Sequence, residues 1–144
     1  MNIAFFLTPK SEVIYLKKNM TMRQALEKME YHRYTSVAVI DDDGRYDGTI
    51  TEGDLLWLMK NNTDLTFKDT SKIKLDDVPR HRSNTAVSIN ADIESLVELA
   101  SCQNFVPVVD DNGVFIGIIK RSDIINYYYN IMKQARELSL NAAV

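Results

Sequence analysis

The sequence predicts an α+β fold of two βαββα units, and two observations carry that reading. The first is an internal repeat. Residues 37–54 (VAVIDDDGRYDGTITEGD) lie over residues 106–123 (VPVVDDNGVFIGIIKRSD) at an offset of 69 without a gap. Val37/Val106, Val39/Val108, Asp41/Asp110, Asp42/Asp111, Gly44/Gly113, Gly48/Gly117, Ile50/Ile119 and Asp54/Asp123 are identical, where unrelated stretches of this length would share roughly one position. The second is that each copy switches from helical apolar spacing to short β-branched runs around a turn signal.

In the first copy Met22, Leu26 and Met29 recur at helical spacing, with Arg23, Glu27, Lys28 and Glu30 on the other faces and Thr21 as N-cap. The run Val37–Ile40 is short and apolar enough for a buried strand. Asp42-Asp-Gly44 separates it from a return strand over Tyr46–Ile50, which makes a hairpin. An apolar helix begins at Asp54 and includes Leu55, Trp57 and Met59. The second copy repeats the order: a helix face of Ile93, Leu96, Val97 and Ala100, a strand over Phe105–Val109, a turn over Asp110–Gly113, a strand over Val114–Ile119 and a helix from Asp123 through Met132. Val13–Leu16 and Thr85–Ile89 read as short leading strands ahead of each helix. Between the copies, Leu65, Phe67, Ile73, Leu75 and Val78 mark a packed connection, not a free tether. The final four residues are expected to fray.

Composition narrows the function. The chain has 144 residues, a net charge of −3 and 45% hydrophobic residues, which suits one compact domain or two small modules sharing a core. Mild acidity argues against general binding of nucleic acid. Nothing approaches the apolar length of a membrane span, and the apolar start lacks the basic flank of a signal peptide, so a cytoplasmic protein is expected. Cys102 is the single cysteine, and His32 and His81 lack a ligand pattern, so neither a disulfide nor a metal site is expected. No nucleophile–base arrangement, phosphate-loop lysine or dinucleotide glycine fingerprint occurs, so an enzyme is not expected.

Gly48-Thr-Ile-Thr-Glu-Gly-Asp54 and Gly117-Ile-Ile-Lys-Arg-Ser-Asp123, together with Pro107-Val-Val-Asp110, closely resemble the CBS motif. Two copies in register resemble a tandem CBS pair, or Bateman module. The resemblance implies two βαββα motifs packed sheet to sheet about a pseudo-twofold axis, with residues 1–62 as motif one and its leading strand, 63–84 as linker, 85–135 as motif two and 136–144 as a tail. It further implies clefts for an adenine nucleotide (AMP, ADP, ATP or cyclic di-AMP), with Asp54 and Asp123 on ribose hydroxyls and Thr51 on a phosphate.

The residue chemistry fits that implication. A carboxylate accepts from both ribose hydroxyls, and a helix start favours an anion. Ile50, Ile118 and Ile119 can form one wall of an adenine slot. Tyr34-Thr35-Ser36 and Phe105-Val106 are the helix-to-strand segments expected to line the clefts, and Tyr34 or Phe105 can stack on a base. Lys120 replaces the usual hydroxyl residue and Arg121 follows it, and the two cations can neutralise a diphosphate or a cyclic dinucleotide. His32-Arg33-Tyr34-Thr-Ser36, with Arg121, is similar to CBS pairs that bind cyclic di-AMP. Arg80 and Arg82, after Pro79, form a third basic group. On local grounds alone Thr51 and Asp54 read first as a helix cap with an acidic first turn; the duplicated motif tips the reading to ligand binding. The function expected is a regulatory nucleotide sensor acting on a separate effector protein, with a ligand-free interaction scaffold as the alternative. Helices 55–59 and 127–129, apolar on more than one side, imply a homodimer.

Overall fold

The computed structural model describes residues 1–81 and 84–143. Its strands are β1 (Thr8–Pro9), β2 (Tyr15–Lys17), β3 (Ser36–Ile40), β4 (Tyr46–Thr51), β5 (Val87–Ser88), β6 (Phe105–Val109) and β7 (Phe115–Lys120). Its helices are α1 (Met22–His32), α2 (Glu52–Asn61), α3 (Ile93–Ala100) and α4 (Arg121–Ala142), with short 3-10 turns at Ile3–Phe6, Lys10–Glu12, Phe67–Ser71 and Leu75–Asp77. The expected helix–strand–turn–strand–helix order appears twice. Thr21 caps α1 in a reciprocal box with Gln24, and Asp92 caps α3 by accepting from the Ser95 amide.

Two sheets result. In unit one, β2 runs parallel to β3 and β3 antiparallel to β4; in unit two, the order is β1-β7-β6-β5, with β5 parallel to β6. Period-two alternation sorts β3 into two cores. Val37 and Val39 face α1 and α2, packing with Leu16, Met22, Met29, Ile50 and Leu55. Ala38 and Ile40 face the other sheet, where they meet Phe105 and Phe115. In β6, Val106 and Val108 face α3 and α4 instead. Strands buried on both faces read as unbroken apolar runs, which explains Val37–Ile40 and Phe105–Val109.

The sheets therefore pack face to face, and the pseudo-twofold axis is marked by equivalent residues meeting each other. Arg45 forms an antiparallel bridge with Val114, and the Phe115 amide donates to the Gly44 carbonyl at 2.9 Å. Tyr46 stacks on Phe115 with centroids 6.5 Å apart. Each pair, 45/114 and 46/115, is separated by the repeat offset of 69. Phe115 is the largest fully buried side chain. Phe115→Ala is expected to lower unfolding free energy by about 3–5 kcal/mol in urea denaturation. A loss below about 1 kcal/mol would be too small for a core ring and would contradict this inter-sheet packing. Burial raises the pKa of the neighbouring Tyr46 phenol, which bonds to Thr49 and to the Asn84 carbonyl.

A β-bulge sits in each hairpin, between Val39/Ile40 and Val108/Val109 in the pairing register, and each is followed by a glycine: Gly48 at φ 132° and Gly117 at φ 155°. These positions have no room for a side chain. A Cβ on Gly48 would meet the Arg80 guanidinium, and one on Gly117 would meet the Thr8 carbonyl. The glycines admit two crossing segments. Residues 8–9 precede unit one yet pair with β7 of unit two, and Ile3 and Phe6 enter the core of unit two. Arg80, ahead of unit two, lies across β4 of unit one, and Leu75 and Val78 enter the core of unit one.

Three sequence expectations are corrected here. Residues 1–62 do not act together, because the first nine belong to the sheet and core of unit two. The leading strands are shorter, at 15–17 and 87–88, and the first extends one residue beyond its expected end. The tail 136–144 is not set apart from motif two, and Asn141 and Ala142, expected to fray, are helical: α4 continues to Ala142, carried by the helix formers Lys133, Gln134, Ala135, Arg136, Glu137 and Leu138.

Candidate functional site

The two units enclose a cleft of about 280 Å³. One wall comes from the end of α1 and the start of β3: Arg33, Tyr34, Thr35, Ser36 and Ala38. The facing wall is Asn104, Phe105, Ile118, Lys120 and Ser122 of unit two, and Thr8, Glu12, Val13 and Ile14 close one end. Local structure explains the placement. Arg33 ends α1 in the left-handed conformation at φ 60°, which turns the next residues into the cleft. The Glu52 amide donates to the Thr35 carbonyl at 2.9 Å, and the Arg121 amide donates to the Asn104 carbonyl at 3.1 Å. These equivalent bonds fix both helix-to-strand segments. Tyr34 is half-exposed and offers an aromatic face. Lys120 and Arg33 supply positive charge, Thr35, Ser36 and Asn104 supply neutral donors and acceptors, and Phe105 and Ile118 supply apolar surface. The combination of an apolar wall with few polar groups is that of a small-molecule site, at the lower end of the usual size.

The expected site residues thus divide. Tyr34, Thr35, Ser36, Phe105, Ile118 and Lys120 line one cleft together. Ile50 and Val106 do not; both are fully buried under the helices, in the separate cores of the two units. Period two places Thr49 and Ile118, not Ile50 and Ile119, on the cleft-facing side. Arg121 turns back, its Nε donating to the Gln103 carbonyl at 3.0 Å. Arg80 donates from Nη1 to the Asp47 carbonyl at 2.9 Å and pairs with the Asp47 carboxylate at 3.4 Å. Arg82 lies outside the described residues.

The two motif aspartates differ sharply. Asp54 is 2% exposed. Its Oδ2 accepts from the Thr51 amide at 2.8 Å, and its Oδ1 accepts from the His81 amide at 2.9 Å. Thr51 Oγ1 accepts from the Asp54 amide at 3.1 Å, completing a capping box. Thr51 and Asp54 are thus a helix cap and an anchor for the connecting segment. Asp123 is exposed in the first turn of α4, whose N-cap, Lys120, makes no side-chain capping bond. Asp123 follows Ser122, which lines the cleft, but is not itself among the lining residues.

Sequence reasoning missed Glu12 and Gln103. Gln103 is buried and clamps the connection to unit two: its Oε1 accepts from the Thr85 amide at 2.8 Å, and its Nε2 donates to the Thr85 and Phe105 carbonyls. A signal for the Glu12 end was present, since Thr8-Pro9-Lys10 aligns with Val78-Pro79-Arg80 at an offset of 70.

The family profile for the CBS domain matches residues 6–61 and 76–130, one match over each hairpin and its helices. The chain belongs to the CBS-domain family. It is a tandem CBS pair, and CBS domains are generally regulatory. A CBS domain-containing protein of Dictyostelium discoideum is 27% identical, over 78% of this chain and 82% of that protein. The crystal structure of CBSX2, a chloroplastic protein of Arabidopsis thaliana, in complex with AMP is 26% identical, with a TM-score of 0.72 over 91% of this chain and 98% of that one. The CbpB protein of Listeria monocytogenes in complex with c-di-AMP superposes with a TM-score of 0.80 at 19% identity, over 93% of this chain and 99% of that one, which shows the shared fold. Among the described residues no helix of this CBS pair is long and apolar enough to cross a membrane.

The outward surface of the CBS pair is a second notable feature. Between α1 and α2 runs an open apolar groove of about 850 Å³, with Leu26, Leu56, Trp57 and Phe67 along it. At the opposite end α4 exposes Ile125, Tyr129, Met132 and Leu138.

Proposed function

We propose that this CBS pair is a regulatory adenine-nucleotide sensor whose ligand lies in the cleft between Tyr34–Ser36 and Asn104–Ser122. The observation that carries the reading is the convergence of residues from both units on one cleft, with a lysine, hydroxyls and an aromatic face. In this reading Lys120 and Arg33 meet phosphate, Asp123 accepts from ribose hydroxyls, and Tyr34 or Phe105 contacts the base. The AMP complex of CBSX2 supports an adenine ligand for a relative of this identity. A ligand touching both units favours one inter-unit geometry over others, and that geometry is what a separate effector protein reads.

Thermal denaturation with AMP, ADP, ATP and cyclic di-AMP tests the proposal. At a ligand concentration near a hundred times Kd, stabilisation is about 2.7 kcal/mol, a rise in Tm of roughly 8 °C for a chain of this size. A melting point unmoved by all four nucleotides would overturn it.

The exposed apolar groove between α1 and α2 supports an additional reading as an interaction scaffold. Apolar surface of this extent on outward helices favours a homodimer. Sedimentation is expected to show a dimer that Trp57→Glu converts to monomer; a monomer at high wild-type concentration would contradict this.

A further inference from the structure

The two motif carboxylates occupy equivalent positions in the repeat but have opposite environments, and the difference lies in the segment that connects the units. We infer that the CBS pair offers one open nucleotide cleft per chain, because its own connecting segment straps the other one shut. This rests on the nucleotide reading above and adds the number of sites and what blocks the second.

The strap is held at two points on unit one. The His81 amide donates to Asp54 Oδ1 at 2.9 Å and the Thr51 amide to Oδ2 at 2.8 Å, so both oxygens of the carboxylate that would meet a ribose are engaged, and at 2% exposure the group is covered. One residue earlier, the Arg80 guanidinium lies over Gly48 and is fixed to the carbonyl and carboxylate of Asp47. On the other side Thr85 is clamped by Gln103 of unit two. A ligand reaching this covered carboxylate must lift the strap and break its His81 hydrogen bond, which is penalised on the order of tenfold to hundredfold in affinity.

The equivalent segment ahead of unit one does not do this. Thr8 and Pro9 cover Gly117 through backbone pairing with β7, and Asp123 stays exposed. The repeat has thus kept the covering of the glycine in both units and the carboxylate lock in one. Thr51 against Lys120 is the sequence difference that accompanies it: a hydroxyl N-cap closes the box that holds Asp54 inward, and lysine cannot.

Two measurements on the full chain test the inference. Hydrogen exchange at the His81 amide reads the strap without any ligand. Slow exchange is expected in the wild type, accelerated at least tenfold in Asp54→Ala while the amides of β6 and β7 stay protected. Titration calorimetry with AMP reads the sites: one AMP per chain in the wild type, weakened by Lys120→Ala, and a second, weaker site appearing in Arg80→Ala/His81→Pro, which removes both strap contacts and leaves Asp54 in place. Two equal AMP sites in the wild type, or unprotected His81, would overturn the inference. Absence of any AMP binding would refute an AMP site and leave the strap to be decided by the exchange rate of His81.

Discussion

Gly117→Val is expected to unfold the protein or to strip its N-terminal segment from unit two. Three effects act together at this position. The backbone sits at φ 155°, where a β-branched residue is strained by about 1–3 kcal/mol. The new Cβ would meet the Thr8 carbonyl and come within 2.9 Å of Leu7 Cδ1 and 3.1 Å of Pro9 Cα, and backbone cannot give way as the end of a side chain can. Moving β1 away from β7 then withdraws Ile3 and Phe6, both buried in the core of unit two, at about 1.5–3 kcal/mol each. Together these approach the whole stability of a small domain, about 5–15 kcal/mol. Gly48→Ala is the control. It shares the positive φ, but its Cβ meets the end of the Arg80 side chain, which can swing aside, so the expected cost is the strain of about 1–3 kcal/mol and about 1 kcal/mol for the Arg80–Asp47 contacts released. Urea denaturation of both variants decides the matter. A Gly117→Val protein as stable as Gly48→Ala would mean that residues 8–9 are not bound across β7 as described.

That contrast also shows what the sequence can reveal. The hairpins, their turns and the helices were legible because each is set by local chemistry: Asp-x-x-Gly turns, a Thr cap, apolar residues three and four apart. Burial of β3 and β6 on both faces was legible in their unbroken apolar runs. The destination of residues 3–9 was not, because a two-residue strand carries no periodicity and its partner lies more than a hundred positions away. Ile50 and Val106 could have been excluded from the cleft by alternation alone. Ile50 is equivalent to Ile119, and neighbours on a strand point to opposite faces, so Ile118 and Ile119 cannot share a wall. The different environments of Asp54 and Asp123 were hidden for another reason. Sequence identity reports the backbone position of a carboxylate, whereas its availability depends on whether a distant amide, here that of His81, has already taken it.

The same asymmetry predicts opposite phenotypes for the same substitution at two equivalent aspartates. Asp54→Ala removes a buried carboxylate that satisfies the Thr51 and His81 amides. Leaving buried donors unpaired costs about 1–3 kcal/mol, so the melting temperature is expected to fall by several degrees, with AMP affinity at the open cleft changed less than threefold. Asp123→Ala removes an exposed side chain for which no capping bond is present. Surface changes of that kind stay within about 0.5 kcal/mol, so stability is expected to be retained. If Asp123 is the ribose acceptor proposed above, its loss should weaken AMP binding on the order of tenfold to hundredfold. Lys120→Ala should resemble Asp123→Ala, and its defect should shrink as salt rises, because a partly exposed ammonium–phosphate attraction is screened. Melting curves and calorimetric titrations on the three variants separate the roles. If Asp54→Ala abolished binding at unchanged stability while Asp123→Ala left affinity intact, the ligand would lie on unit one's motif, and the cleft beside Lys120 would not be the sensing site.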